Sequence, residues 1–118
     1  MALAAKLQMR PEQSVALVNA PADFEPGDLG AHPKAPDARA DLVLVFTRDG
    51  NEVEARAGTL ADAAARGALT WIAYPKAGQL DTDLNRDRVR ERAAEHGLQT
   101  VRQVALDDVW SALRLKSG

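Results

Sequence analysis

The sequence predicts an α/β fold: a small three-layer, Rossmann-like, mostly parallel sheet with helices on its faces and an antiparallel C-terminal strand. Short apolar runs alternate with segments of helical period, which is the pattern of βαβ units. In the run Asp41–Phe46, every residue after Asp41 is apolar, as in a parallel strand buried on both faces. A short turn at 107–108 separates the last two strands, which predicts antiparallel pairing. We expect one domain spanning 1–118, because this length suits a single core.

Five strands and two main helices account for the pattern, with strands expected at 14–18, 41–46, 69–73, 100–106 and 109–115. Proline and glycine between 22 and 40 permit one helical turn near 23–29. The next helix is expected to have Asn51 as its N-cap and to be closed by Gly67. The last helix is expected to start at Asp83 or Leu84, capped by Thr82 or Asp83, and to end at Gly97.

Composition excludes several function classes. Fifteen basic and seventeen acidic residues give a net charge of −2, which argues against nucleic-acid and anionic-membrane binding. The absence of cysteine excludes disulfides, thiolate metal sites and a cysteine nucleophile. The N-terminal residues lack a signal-peptide pattern, and no apolar run has membrane-spanning length, so we expect a cytoplasmic protein.

Polar residues follow the first three predicted strands. If these strands are parallel, their carboxyl ends meet at one edge, where open α/β sheets usually bind ligands. The cations Arg48, Lys76 and Arg86 at this edge suit a phosphate or carboxylate ligand. The alternative is structural, with Lys76 and Arg86 pairing with Asp81 and Asp83. The candidate ligand-binding residues are Asn19, Thr47, Arg48, Tyr74, Lys76, Asp83 and Arg86.

A second candidate set lies around the last strand and comprises Asp108, Trp110 and Arg114. In a strand, Trp110 and Arg114 share one face. Trp110 is expected to cover the end of the core, with Arg114 stacked on it or paired with an aspartate. The alternative is a platform for a ligand or partner.

No motif identifies catalysis or a cofactor. The chain has neither a Gly-x-Gly-x-x-Gly sequence nor a P-loop, and Asn19-Ala20-Pro21 follows the first strand instead, so no cofactor is expected. His32 and His96 lack metal-ligand spacing, and no serine has a nucleophile context, so no metal site and no catalytic residue are predicted. A proton-donor role for Tyr74 is the alternative to a packed tyrosine.

Five segments resemble a family of short bacterial proteins catalogued as a domain of unknown function. They span nearly the whole chain and are Val15–Pro21, Asp41–Phe46, Trp71–Lys76, Thr82–Asp87 and Trp110–Arg114. The resemblance implies the fold and no activity. The chain is also distantly similar to a truncated Rossmann-type methyltransferase core, but it lacks the glycine-rich loop with which such a core binds S-adenosylmethionine.

These observations favour a non-catalytic binding or assembly module, whose partner is a protein or a second copy of the chain. The alternative is a small enzyme or sensor, degenerate and methyltransferase-like, that binds an anionic metabolite at the carboxyl edge of the sheet. Whether the protein is an enzyme stays open, although the missing catalytic pattern favours a module.

Overall fold

The computed structural model describes residues 2–118, which form a five-stranded mixed α/β fold. Two short 3₁₀ turns, Gly27–Ala31 and Gln79–Asp81, lie in the connections. No helix in this part of the chain is long and apolar enough to cross a membrane. The elements are α1 (Leu3–Lys6), β1 (Val15–Val18), β2 (Leu42–Phe46), α2 (Gly50–Ala65), β3 (Leu69–Pro75), α3 (Arg86–Glu95), β4 (Leu98–Ala105) and β5 (Trp110–Ser117).

The strands lie in the order β1-β2-β3-β5-β4. β1, β2 and β3 are parallel neighbours, as predicted, and the predicted antiparallel pairing of β4 with β5 is also confirmed. β5 is inserted between β3 and β4 and runs antiparallel to both. The sheet is therefore parallel in its first half and antiparallel in its second. Because β5 alone is reversed, the carboxyl ends of the other four strands share one edge with its amino end.

Both faces of the sheet are covered, because the central strands are apolar on both sides. On one face, α2 and α3 pack against the sheet through a buried cluster that includes Val53, Leu60 and Val89. On the other face, the segment around α1 and the first 3₁₀ turn supplies Leu7 and Leu29 to a separate buried cluster. The prediction that the second strand is buried on both faces is confirmed, since every residue of β2 is inaccessible.

The ends of the helices differ from the prediction. Asp49, not Asn51, caps α2, and its carboxylate accepts a hydrogen bond from the Glu52 N–H at 2.9 Å. Asn85, rather than Thr82 or Asp83, caps α3 by accepting from the Arg88 N–H at 2.9 Å. Each capping residue is extended and followed by helical geometry, which the N-cap requires.

Both helices close as predicted, with glycine in the left-handed region: φ is +82° at Gly67 and +75° at Gly97. The first 3₁₀ turn starts at Gly27, later than the turn expected near 23–29. The helix Leu3–Lys6 was not predicted. It is a single turn held by packing of Leu7 and Ala4 on the sheet, and so short a segment shows no helical period.

Candidate functional site

The shared edge brings together residues that the sequence placed in two separate sets. Arg48 and Lys76 follow β2 and β3, while Asp107 follows β4 and Trp110 begins β5. The reversed direction of β5 carries Trp110 to this edge. The same reversal carries Arg114 away from this edge, to a position opposite Trp71 near the amino end of β3.

A cleft of about 290 Å³ opens at this edge, and we call it the edge cleft. Four separate segments form it: the loop after β1, the end of β2, the loop after β3 and the β4–β5 turn. Its walls are mainly apolar, with three charged side chains at the rim. The lining residues are Pro21, Asp23, Phe24, Arg48, Leu80, Asp107, Val109 and Trp110.

Aromatic rings support the edge cleft from below. Phe46 is fully buried, and its ring meets Phe24 edge to face at a centroid distance of 4.8 Å. It meets Trp110 in the same manner at 5.1 Å. Trp110 is only 4% exposed, so most of its indole is already packed. Edge-to-face pairs add about 0.5–1.5 kcal/mol beyond burial, which makes this base rigid.

Asp107 fixes the turn that presents Trp110. One carboxylate oxygen accepts hydrogen bonds from the backbone N–H groups of Val109 (2.8 Å) and Trp110 (2.7 Å). The Trp110 carbonyl in turn accepts from the Leu106 N–H at 2.9 Å. Asp107 therefore both holds the β4–β5 turn in place and lines the edge cleft.

Leu80 is the exposed apolar element of the cleft. It is 56% exposed and has a left-handed backbone with φ +54°, which costs a leucine about 1–2 kcal/mol. Asp81 follows with φ +52°. The loop is anchored beyond them by the Thr82 hydroxyl, which donates to the Arg48 carbonyl at 2.6 Å. An apolar side chain held in a strained conformation at a cleft is a feature of binding loops.

Three of the predicted ligand-binding residues have structural hydrogen bonds. Thr47 is fully buried, and its hydroxyl donates to the Ala73 carbonyl at 2.9 Å. The Asn19 amide donates to the Phe46 carbonyl at 3.0 Å. The carboxylate of Asp83 accepts from the Gly50 N–H at the start of α2, also at 3.0 Å.

Tyr74 lies on the α2/α3 face of the sheet, away from the aromatic base of the cleft. Its hydroxyl accepts a hydrogen bond from the Gln103 side chain at 3.2 Å. Burial raises the pKa of the phenol, and the nearby Arg86 charge opposes this only in part. The hydroxyl is therefore held in its neutral form, as expected for a packed tyrosine.

Within the described residues, Lys76 and Arg86 do not form the predicted ion pairs with Asp81 and Asp83. Arg86 is exposed and lies 3.8 Å from Asp87, while Asp83 bonds to Gly50 as described. Lys76 is half-buried, and its backbone N–H donates to the Val109 carbonyl at 2.7 Å. The expectation that Arg114 stacks on Trp110 or pairs with an aspartate is wrong: its guanidinium donates to Gln8 at 2.7 Å.

Sequence reasoning missed most of the cleft, namely Pro21, Asp23, Phe24, Leu80, Asp107 and Val109. Two signals were present. Phe24 is one of only two phenylalanines, and Leu80 is an apolar residue in an otherwise polar loop. Asp108, which was predicted, lies exposed in the β4–β5 turn and does not line the cleft.

Comparison with known proteins gives one family and a distant structural likeness. A family described as "Protein of unknown function (DUF3052)" matches residues 31–118. No curated protein matches the chain. The crystal structure of Streptococcus pneumoniae Sp1610, described as a candidate tRNA (m1A22) methyltransferase, is similar at 15% identity with a TM-score of 0.42. The similarity covers 74% of this chain and 40% of that chain.

Proposed function

The chain belongs to the DUF3052 family of proteins of unknown function, and we propose that it is a binding module that holds a small planar ligand in the edge cleft. The observation that carries this proposal is the cleft itself, with Phe24 and Trp110 in its walls and the buried Phe46 behind them. The proposal includes the finer sequence expectations of a Rossmann-like, three-layer arrangement and a cytoplasmic location.

The size and lining of the cleft favour a ring of modest size. Ligand pockets usually measure about 300–1,000 Å³, so a cleft of about 290 Å³ suits one or two fused rings rather than a dinucleotide. The half-buried Phe24 and the exposed Leu80 provide the accessible apolar surface for a planar ring, and the packed Trp110 holds that surface in place. A flat heteroaromatic compound is therefore the ligand class that fits best.

The charges at the rim favour a ligand that donates hydrogen bonds. Asp23 and Asp107 provide two carboxylates, against the single guanidinium of Arg48. Amino groups and ring N–H groups would find acceptors here, whereas a polyanion would meet two like charges. The alternative of an anionic metabolite is thus less favoured at this edge than the sequence alone indicated.

Several polar side chains at this edge already form hydrogen bonds within the protein, which favours ligand binding over catalysis. Thr47 and Asn19 are committed to backbone carbonyls, and Asp107 uses one carboxylate oxygen to hold the turn. General acid–base catalysis needs a group that is free to exchange a proton with the ligand. These three side chains therefore stabilise the edge of the sheet rather than exchange protons with a ligand.

Assembly is the second candidate function, and the outer strand β4 is the observation that favours it. It forms one edge of the sheet, and Val101 is 44% exposed at an irregularity in its pairing with β5. An exposed edge strand can pair with another chain. Sedimentation over a range of protein concentrations tests this candidate, and a monomer at all concentrations would rule out self-assembly through β4.

The two tryptophans make a direct test of the edge cleft. Trp71 is fully buried, and its indole N–H donates to the Leu7 carbonyl at 3.2 Å, while Trp110 lines the cleft. One- and two-ring heteroaromatic fragments should shift the indole N–H resonance of Trp110 in an NMR titration and leave that of Trp71 unchanged. Trp110→Phe assigns the two signals.

Matched variants complete the experiment. Phe24→Ala and Leu80→Ala should weaken fragment binding, whereas Val101→Ala removes an exposed apolar side chain elsewhere and should not. The proposal is overturned if no fragment shifts the Trp110 signal, or if all three variants bind alike.

A further inference from the structure

A second cleft, of about 450 Å³, lies at the opposite edge of the sheet, and we call it the arginine cleft. It forms between the segment after α1, the connection from α2 to β3 and Arg114 of β5. Its polar lining comprises Gln8, Arg10, Gln13, Asp41, Arg66 and Arg114. Three guanidinium groups face one carboxylate, so the lining carries an excess of two positive charges in a chain whose net charge is −2.

Arg114 is held in the arginine cleft by a neutral partner. Its guanidinium donates to the Gln8 side-chain oxygen at 2.7 Å. Its Nε is the one buried side-chain nitrogen or oxygen, among residues 2–118, that has no hydrogen-bond partner. A buried donor without an acceptor is costly, so this guanidinium has unused capacity for an additional acceptor.

Arg66 is also positioned without being neutralised. One terminal nitrogen donates to the backbone carbonyls of Asp37 (2.7 Å) and Ala40 (2.8 Å). These contacts fix the guanidinium and leave its charge uncompensated by a carboxylate. Arg66 and Arg114 thus share one property: both are oriented by neutral oxygens.

The acidic groups nearby are already engaged or are exposed. One oxygen of Asp41 accepts hydrogen bonds from the Ser14 N–H (2.9 Å) and hydroxyl (3.2 Å). Glu12 lies 3.7 Å from Arg10, but both side chains are more than 70% exposed, and such surface pairs are weak. Asp41 lines the cleft, but within the described residues neither carboxylate lies within 4 Å of the Arg66 or Arg114 guanidinium.

We propose that the arginine cleft is a second binding site, which takes a ligand with two or more anionic oxygens, as in a phosphoryl or dicarboxylate group. Guanidinium groups match such oxygens in pairs, and oriented guanidinium groups lose little freedom when they bind them. This site is independent of the edge cleft, since the two lie at opposite edges of the sheet and share no lining residue.

Inorganic pyrophosphate and malonate are the probes, titrated at constant ionic strength while the arginine Nε–H resonances are followed by NMR. We expect at least one probe to shift the Arg114 signal and leave the Trp110 indole signal unchanged. Binding of pyrophosphate alone would identify phosphoryl ligands, and binding of malonate alone would identify dicarboxylates. The absence of binding by both would overturn the proposal.

Charge-matched variants separate a built site from general attraction. Arg66→Gln and Arg114→Gln should each weaken binding by roughly tenfold, because each removes a charge-assisted hydrogen bond. Arg88→Gln removes an exposed arginine on α3 and should leave affinity unchanged. Equal weakening in all three variants would overturn the proposal. If Arg114→Gln does not fold, Arg10→Gln replaces it in the same comparison.

Discussion

The rings of Phe46 and Trp110 meet edge to face across the sheet, with centroids 5.1 Å apart and planes inclined at 79°. Phe46 ends β2, Trp110 begins β5, and β3 lies between them. Ala73 on β3 pairs with Phe46 on one side and with Ala112 on the other. Since alanine is small, it leaves room for the two rings to meet over β3, and the base of the edge cleft depends on this contact.

Phe46→Ala should therefore be among the most destabilising single changes. The variant leaves a cavity beside Phe24 and Trp110, and truncating a buried phenylalanine costs about 3–5 kcal/mol. The measurement is urea unfolding, with Val101→Ala as the exposed control, expected to change stability by less than about 0.5 kcal/mol. A loss below about 1 kcal/mol for Phe46→Ala would contradict the role assigned to this ring.

Two glycines of α2 should respond differently to alanine. A methyl group at Gly58 meets nothing within 4 Å, so Gly58→Ala should stabilise the protein by roughly 0.5–1 kcal/mol. At Gly50, the new Cβ would lie 2.6 Å from the Arg92 guanidinium. Gly50→Ala should therefore gain less, because Arg92 must move away from Glu54.

Thermal unfolding of the two glycine variants, each also made with Arg92→Ala, checks this explanation. In the Arg92→Ala background, Gly50→Ala should stabilise the protein more than it does when Arg92 is present. The stability gain from Gly58→Ala should be the same in both backgrounds. If Gly50→Ala is as stabilising as Gly58→Ala when Arg92 is present, the short distance between Arg92 and residue 50 does not limit the stability of the variant.

Most of the fold could be predicted from local patterns. Continuous apolarity identified β2, the glycines at 67 and 97 ended both helices, and the motifs pointed to a domain of unknown function, which the match to residues 31–118 confirms. The helix starts were less certain, because Asp49 and Asn51 both suit an N-cap and only the backbone decides between them.

The candidate site was harder to predict, because strand insertion is not a local property. The short turn after β4 indicates a hairpin with β5, but it does not say which of the two strands lies beside β3. That choice brings Trp110 to the edge cleft and Arg114 to the arginine cleft. The sequence grouped these residues because they share a face, whereas in the structure four positions along β5 are enough to place them in different clefts.

Asp83 should stabilise α2 from outside the helix. Its carboxylate accepts from the Gly50 N–H, which has no partner within the helix. By analogy with N-cap replacements, Asp83→Ala should cost about 0.5–2 kcal/mol, and Asp83→Asn should cost less, because the amide oxygen can still accept. Urea unfolding measures both variants, and unchanged stability of Asp83→Ala would show that the contact contributes nothing.

Glu54 should make stability depend on pH in the acid range. Its carboxylate lies 2.7 Å from His96 Nε2 and 3.3 Å from Arg92 Nη1, and these contacts, with that to His96 first, hold its pKa below the usual 4.5. The lowered pKa means that the stabilisation is present above pH 4.5 and is lost as the pH falls through the folded-state value.

Glu54→Gln is the variant that checks this acid dependence. The stability difference between the native protein and Glu54→Gln should shrink as the pH is lowered from about 6 to about 3, when unfolding is followed by circular dichroism. Glu91→Gln replaces an exposed carboxylate on α3, away from this contact, and serves as the control. A difference that stays constant with pH would exclude the proposed linkage.

Tyr74 should make stability depend on pH in the alkaline range, with the opposite sign. Burial raises its pKa above the ordinary 10.0, so the folded state binds the phenolic proton more tightly than the unfolded state does. This contribution is complete below pH 10 and is lost as the pH rises through the folded-state value.

Because the chain has a single tyrosine, the ultraviolet absorbance of phenolate reports Tyr74 alone. We expect its midpoint to lie above that of the urea-unfolded chain, and Tyr74→Phe to weaken the alkaline loss of stability. A native midpoint equal to or below the unfolded one would show that the hydroxyl is solvated rather than packed against Gln103.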